Sequence, residues 1–361
     1  MTTNPSQRTL LFTGAYSERD ESGVCVYEFN ENNGEMKLLD KVSGIKNPTF
    51  VNVDPKSQRL YAIGEISEQG GKAGEIISFD IDPVAGKLTE QSRVRSVSSS
   101  TCHIQRDEAS KHLIVSSYHG GLVGLHSIVK DGQAGELLDE KKHADLVPVG
   151  EDQQPRAHSA FYSPDGKYVF VQDLGLDKIL AYTVDEAAQK LNFHGFTQLE
   201  AGAGPRHLAF HPSGAYAYVI NELNSSVTVL RYIQDEGRLE VVDTVSTLPP
   251  DFEGESYCAE IAVSEDGKTV YGSNRGHDSI VVFSVNEDNG RLNPIQYIST
   301  EGGHPRHFTL MPGGKFLVVA NRDGNNLVLF SVSPEDGKLT FTGYTVTQSK
   351  PVCVKPAVFQ V

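Results

Sequence analysis

The triplet Pro-Arg-His occurs twice in this chain, at Pro205–His207 and at Pro305–His307. Each triplet begins an apolar run, and each repeat unit then reaches an Asn followed by a charged residue, Glu222 in one and Arg322 in the other. Guanidinium groups suit carboxylate and phosphate, and imidazole exchanges protons near neutral pH. Residues of these types at this spacing predict a site that binds a small anion and carries out acid–base chemistry on it.

The two triplets belong to a longer repeat. Each copy contains a short apolar run, a Pro/Asp/Gly turn, a second and a third apolar run, an acidic turn with Gly, and a weaker fourth run. The copies begin at Pro48, Thr101, Ala157, Pro205, Cys258, Pro305 and Pro351. Runs of this kind are typical of strands, and four strands in about fifty residues match one blade of a β-propeller.

The two ends of the chain together supply one blade. The copy at Pro351 stops after a single run, whereas the N-terminal region has three runs and no first one. We therefore predict an all-β, seven-bladed β-propeller with four-stranded antiparallel blades, closed by pairing of the N- and C-terminal segments. The prediction is a single domain over residues 1–361, with residues 1–7 as a flexible tail. Residues 67–75 and 143–154 are predicted surface loops.

Composition restricts the partners. The net charge of −15 argues against nucleic acid and anionic membranes but allows a small anionic ligand in a local cationic pocket. The N-terminus lacks the pattern of a secretory signal, and no apolar run approaches the roughly 18 residues of a membrane span. Four widely spaced cysteines predict free thiols rather than disulfides or zinc ligands. We expect a cytoplasmic protein that needs no cofactor or metal, as a monomer or homodimer.

Antiparallel pairing predicts where the variable residues of the repeat meet. The start of each first strand and the end of each second strand lie on the same rim. Residues at these points should therefore converge on one tunnel mouth from seven directions. They include, from first strands, His103, His158, Arg206, His207, Glu260, Arg306 and His307, and from second strands, Tyr16, Glu65, Tyr118, Glu222, Arg275 and Arg322.

Structural interpretations stand beside this functional one. Glu65, Glu222 and Glu260 can neutralise the arginines in a purely structural ion network. A second series stands just before the second-strand ends and suits turns, although a calcium site with an added glutamate is an alternative. Its members are Asp173, Asn221, Asn274 and Asn321.

Three segments resemble the seven-bladed β-propeller lactonase family, which includes bacterial 6-phosphogluconolactonases and fungal carboxy-cis,cis-muconate cyclases. They cover residues 155–185, 204–230 and 302–330. The resemblance implies a cytosolic enzyme that acts on a small anionic lactone or its open acid without a required metal. In the cyclase branch a histidine, two arginines and a glutamate act at the mouth, and the matching residues here are His158, Arg206, Arg275 and Glu222.

The resulting hypothesis is a 6-phosphogluconolactonase of the pentose phosphate pathway, a lactone hydrolase that works by general-base attack of water at the tunnel mouth. His158 or Glu222 would be the base and Arg206 would stabilise the oxyanion. The absence of a GxSxG motif favours water over an acyl-enzyme. The predicted catalytic residues are His158, Arg206, Glu222 and Arg275, and Arg275 would also hold the phosphate. The predicted substrate-binding residues are His207, Arg306, His307, Arg322, Glu65, His103 and Tyr118. A lactonizing cyclase and a non-enzymatic interaction propeller remain alternatives.

Overall fold

The computed structural model describes residues 7–68 and 71–361, in which 28 strands form seven four-stranded antiparallel sheets. The strands are β1 (Gln7–Ala15), β2 (Val24–Phe29), β3 (Met36–Val42), β4 (Val51–Asp54), β5 (Arg59–Glu68), β6 (Gly71–Asp82), β7 (Lys87–Arg95), β8 (His103–Arg106), β9 (His112–Ser117), β10 (Leu122–Ile128), β11 (Ala134–Lys142), β12 (Ala157–Tyr162), β13 (Val169–Asp173), β14 (Lys178–Asp185), β15 (Lys190–Gln198), β16 (Pro205–Phe210), β17 (Tyr216–Asn221), β18 (Ser226–Ile233), β19 (Arg238–Ser246), β20 (Tyr257–Val263), β21 (Thr269–Arg275), β22 (Ser279–Val285), β23 (Leu292–Ser299), β24 (Pro305–Leu310), β25 (Phe316–Asn321), β26 (Asn326–Val332), β27 (Leu339–Thr347) and β28 (Pro351–Gln360). Two short 3₁₀ helices span His143–Asp145 and Gln234–Glu236.

The predicted propeller and its closure are confirmed. Six sheets use four consecutive strands each, and the seventh has the order β28-β1-β2-β3. In this composite sheet Thr9 lies opposite Val358 and Gly14 opposite Cys353. Of the predicted flexible tail, residues 1–6 lie outside the described residues, and Gln7 already belongs to β1.

The core lies between neighbouring blades. Second and third strands are covered on both faces, so that all six residues of β9 are buried, whereas an outer strand such as β15 alternates between more exposed and less exposed positions. Three fully buried tyrosines on second strands also bind the next blade through their hydroxyls. Each donates a hydrogen bond to a glycine carbonyl in an acidic turn, Tyr61 to Gly132, Tyr218 to Gly290 and Tyr271 to Gly337. Packing between neighbouring blades therefore explains why these turns recur at the same position of the repeat.

The two predicted surface loops differ from expectation. Residues 67–75 mostly continue a hairpin, since β5 runs to Glu68 and β6 starts at Gly71, with Glu68 opposite Gly71. That loop prediction was wrong because the Gly-rich composition concealed an extended ladder. The second segment begins with the 3₁₀ helix and buries His143, whose Nδ1 lies 2.5 Å from Asp173. Only its later part is largely exposed.

Truncation of the chain after Lys350 tests the closure. It removes β28 with the buried side chains Val352, Val354 and Phe359. Each large apolar side chain is worth roughly 1.5–3 kcal/mol, and whole domains are stable by only about 5–15 kcal/mol. We expect the truncated chain to lose its cooperative thermal transition in circular dichroism. Gln360→Ala, at the exposed end of the same strand, should melt like the wild type; a cooperative transition in the truncated chain would contradict the closure.

Candidate active site at the tunnel mouth

Irregular pairing at the start of the inner strands directs three side chains to the site. In β12, Ala157 pairs with Asp173 and Ser159 with Gln172, which leaves His158 as an extra residue. The same shift leaves Arg206 unpaired in β16 and Arg306 unpaired in β24. Such β-bulges re-aim the inserted side chain. The bulge thus turns His158 and the two arginines away from the regular pleat.

A cavity of ≈ 260 Å³ opens at this rim. Its lining confirms that both ends predicted to converge, the first-strand starts and the second-strand ends, meet here. The lining residues are Tyr16, Thr49, Glu65, Ser100, Thr101, Cys102, Tyr118, His119, His158, Glu222 and Arg306. Five of the predicted site residues are among them: Glu65, Tyr118, His158, Glu222 and Arg306.

Glu222 holds two arginines in place. One of its carboxylate oxygens lies 2.9 Å from Arg206 Nε and 2.8 Å from Arg275 Nη2. Both guanidinium groups also donate to backbone carbonyls, of Ala259 and Cys258 respectively. The predicted structural ion network therefore exists for this part of the site, and it fixes the two arginines in one geometry.

Electrostatics make Glu222 a poor proton acceptor. Burial alone would raise the pKa of its carboxyl group, but Arg275, Arg206 and Arg306 outweigh burial and lower it. Burial, with Arg306 and Arg275 nearby, lowers the pKa of Arg206 to about 9, so this guanidinium remains charged at neutral pH. Glu222 is consequently an ionised anchor whose carboxylate is engaged by two guanidinium groups. His158, the other candidate base, forms no such ion pair within the described residues.

Arg306 differs from Arg206 and Arg275 in its partners. Among the residues that the structure describes, no carboxylate pairs with it, and its guanidinium carbon lies 5.6 Å from the centre of the Tyr16 ring. It lines the mouth cavity together with His158. An arginine that lines a cavity and forms no ion pair with a carboxylate can bind an anion.

His158 has the properties of a neutral base. The residue is 4% exposed, and its Nδ1 has no hydrogen-bond partner within residues 7–68 and 71–361. Burial, followed by the charge of Arg206 and the effect of His207, lowers the pKa of His158 well below its ordinary value. The ring is therefore unprotonated at neutral pH and has a lone pair to offer.

The other three histidines lie one residue deeper and form a floor below the mouth. His103, His207 and His307 surround Phe50, with ring centres 4.4, 6.0 and 5.6 Å from its ring. None of them lines the mouth cavity, so their predicted direct contact with substrate there is not supported. The reason is the strand geometry, because each of the three follows a residue at the mouth end of its strand, and successive side chains of a strand point in opposite directions.

Glu260 joins two of these histidines. His207 Nδ1 lies 3.0 Å and His307 Nε2 2.9 Å from its carboxylate. Burial would raise the pKa of Glu260, but His207 and His307 hold it well below the ordinary value. The sequence analysis expected Glu260 to neutralise arginines, but its carboxylate pairs with two histidines instead.

Arg322 is not brought into the cavity. Its guanidinium binds Asp323 at 2.7 and 2.9 Å, and Nη2 lies 3.3 Å from His304 Nδ1. Its predicted role in substrate binding is therefore not supported by its position. The repeat placed Arg322 at the end of a second strand, but it did not show that the next residue, Asp323, would neutralise the arginine.

The Asp and Asn series serves turns. Asp173 accepts hydrogen bonds from the amides of Arg156, Gly175 and Leu176. Asn274 and Asn321 each donate to a carbonyl of a preceding segment, at Thr247 and Thr300. No group of three or more His, Cys, Asp or Glu side chains in the described part of the chain is arranged to hold a metal ion. The contacts of Asp173, Asn274 and Asn321 are those that the structural interpretation expects.

Sequence reasoning assigned no role to two residues close to the site. Cys102 lines the mouth, donates its thiol to the carbonyl of His158 at 3.1 Å, and has its pKa raised to about 11 by burial, so it stays a thiol. Lys355 on β28 reaches into the tunnel from the other side, with Nζ 4.8 Å from the centre of the Phe50 ring. The period of two along β28, counted from Cys353, was the signal that would have placed it there.

The chain belongs to the seven-bladed β-propeller lactonase family, whose model matches residues 10–356. It is 35% identical over 344 residues to a 6-phosphogluconolactonase of Bacillus subtilis, covering 95% of this chain and 97% of that protein. A protein of the same description from Formosa agariphila is 34% identical over 315 residues, 85% of this chain and 87% of its own. The solved structure of a periplasmic gluconolactonase of Pseudomonas aeruginosa superimposes with a TM-score of 0.89 at 28% identity, over 98% of this chain and 99% of that one.

All four cysteines are free, as predicted. Within the described residues, none of the helices has the length and apolar character needed to cross a membrane.

Glu222→Ala tests the role of Glu222 as an anchor. The change leaves Arg206 and Arg275 buried without their carboxylate, and breaking a buried pair in this way costs about 3–5 kcal/mol. Urea denaturation should show this loss. Glu186→Ala, which breaks an exposed pair with Lys111, should leave the midpoint unchanged; equal midpoints for both variants would contradict the anchoring role.

Proposed function

We propose that this chain is a 6-phosphogluconolactonase-type lactonase that hydrolyses a small anionic sugar lactone to its acid. One observation carries the proposal: a neutral histidine, His158, and an arginine without a carboxylate partner, Arg306, line the same cavity. Similarity to the 6-phosphogluconolactonases of Bacillus subtilis and Formosa agariphila supports the phosphorylated substrate. As part of the proposal, the reaction belongs to carbohydrate metabolism in the cytoplasm.

His158 takes a proton from the attacking water in this proposal. The water oxygen forms a bond to the lactone carbonyl carbon, and the carbonyl oxygen becomes an oxyanion. The positive field of Arg206, held by Glu222, stabilises that oxyanion. The C–O bond of the ring then breaks, and protonated His158 returns the proton to the leaving ring oxygen.

The substrate itself improves the base. Arg206 and Arg306 help to lower the pKa of His158. A phosphate bound to Arg306 offsets this positive charge, so the pKa of His158 rises when the substrate is present. His158 therefore becomes a stronger base when the phosphorylated substrate is bound. A lactone without a phosphate does not raise the pKa of His158 in this way.

The lactonizing cyclase uses the same side chains for proton transfer to carbon, so a panel of substrates separates the two reactions. The purified protein should accelerate hydrolysis of fresh 6-phosphogluconolactone above the spontaneous rate and leave a carboxy-muconate unchanged. Cyclisation of the muconate alone would replace the lactonase proposal. Turnover of neither substrate would favour the non-enzymatic propeller.

His158→Gln tests the base. The variant keeps a polar side chain of similar reach but cannot accept the proton, and general-base catalysis contributes about 10²–10⁴-fold. We expect kcat for 6-phosphogluconolactone to fall by about that factor. The control is His211→Gln, at a turn where His211 forms an exposed hydrogen bond with Ser213, and it should retain wild-type kcat. A wild-type kcat in His158→Gln would rule out His158 as the base.

Arg306→Gln tests phosphate binding. Losing a charge-assisted hydrogen bond of about 1.5–3 kcal/mol should raise KM for 6-phosphogluconolactone about tenfold to a hundredfold. KM for unphosphorylated gluconolactone should change by no more than about twofold, since it has no phosphate to bind. Arg291→Gln, in an exposed pair with Asp243, is the matched control; equal effects on both lactones would contradict a phosphate-specific role.

A further inference from the structure

A second, much smaller cavity lies beneath the mouth. Its volume of ≈ 10 Å³ is about the space that one water molecule requires. His158, Arg206, His207 and Arg306 supply polar groups to its wall, and Phe50 contributes an apolar one. His158 also lines the mouth cavity, so its ring lies between the two spaces.

Three histidines of this wall, His158, His207 and His307, have buried ring nitrogens without a hydrogen bond to any described residue. Two of these nitrogens are Nδ1 of His158 and Nε2 of His207. The two residues are 4% and 2% exposed, and their ring centres are 5.2 Å apart. Buried polar atoms are nearly always hydrogen-bonded. A water with two bonds of about 2.9 Å fits between rings at this separation.

Glu260 determines how His207 presents itself to this cavity. Its carboxylate is 3.0 Å from His207 Nδ1, which therefore carries the hydrogen and leaves the lone pair on Nε2. Carboxylate–imidazole pairs of this kind orient a histidine and stabilise its protonated form. Among the described residues, His158 has no such carboxylate, and the neighbouring arginines oppose its protonation.

We propose that one water in the small cavity connects His158 to His207, and that His207 with Glu260 receives the proton withdrawn from the attacking water. As His158 Nε2 accepts that proton, His158 Nδ1 releases its own to the buried water. The water passes one of its protons to His207 Nε2 and is regenerated. His207 becomes an imidazolium ion beside the Glu260 carboxylate, and the same path returns the proton to the leaving ring oxygen.

The relay moves the positive charge to a better place. A proton that stayed on His158 would lie among Arg206, Arg306 and Arg275, whereas on His207 it is next to a carboxylate. Burial and Arg206 lower the pKa of His207 to about 4, while Glu260 acts to raise it. His207 and Glu260 are thus positioning residues that work through His158. This inference rests on the proposed function only in taking His158 as the base.

A crystal structure of the full chain at high resolution tests the water site without any substrate. It should show an ordered water about 2.7–3.2 Å from both His158 Nδ1 and His207 Nε2. A water that touches only one of the two nitrogens, or no water there, would overturn the relay. This outcome does not depend on which lactone is hydrolysed.

Kinetics of His207→Gln and Glu260→Gln test the transfer. Both should lower kcat for 6-phosphogluconolactone by about a hundredfold, the lower range of proton-transfer effects, with KM changed by no more than about twofold. Cys353→Ser, in the same inner ring of the tunnel, is the matched control and should keep wild-type kcat. Wild-type kcat in both variants would overturn the relay and leave the lactonase proposal intact.

Nitrogen-15 NMR spectra of the wild-type histidines test the relay even if a variant fails to fold. They should show His207 with its hydrogen on Nδ1, and a hydrogen on Nε2 instead would contradict the relay. If the wild type hydrolyses no lactone, the proposed function fails separately, and the water site is judged by the crystal structure and these spectra.

Discussion

Backbone pairing between β1 and β28 joins the two ends of the chain, and the site depends on this closure. Seven inner strands can point their starts at one mouth only when the ring has no open edge. Near the junction, the side chain of Gln348 exchanges hydrogen bonds with Thr13 and accepts one from Tyr27. The closure also brings Tyr16, just past β1, under the guanidinium of Arg306. The cation that we assign to the ligand is therefore positioned by both chain ends.

Two buried carboxylates compensate positive charge at two levels of the tunnel mouth. Glu222 binds Arg206 and Arg275 at the level of the cavity, and Glu260 lies one residue lower between two histidines. Among the described residues, Arg306 forms a direct ion pair with neither carboxylate, although its charge helps to lower the pKa of Glu222. An acidic protein with a net charge of −15 can in this way keep a cationic pocket, because interactions between buried groups are screened much less than those at the surface.

The repeat predicted the fold well because strands and turns leave local signals. Apolar runs bounded by Gly, Pro and Asp gave the blade, and the missing first strand at the N-terminus gave the closure. The errors arose where local signals mislead. The Gly-rich stretch after Glu65 extends a hairpin, and Arg322 is paired with its own neighbour, Asp323.

The order of the amino acids was enough to predict the number of blades, the composite blade, and the residue types that reach the tunnel mouth. The folded propeller was needed to show which of these residues line the mouth cavity and which form the floor. His158 and His207 occupy adjacent positions of the repeat, but a bulge makes their side chains point in different directions. The residue types at these positions do not predict the bulge. Their protonation likewise follows from burial and from carboxylates and arginines on other blades. These are long-range properties, set by strand register and ring closure, and they become defined only when the propeller is complete.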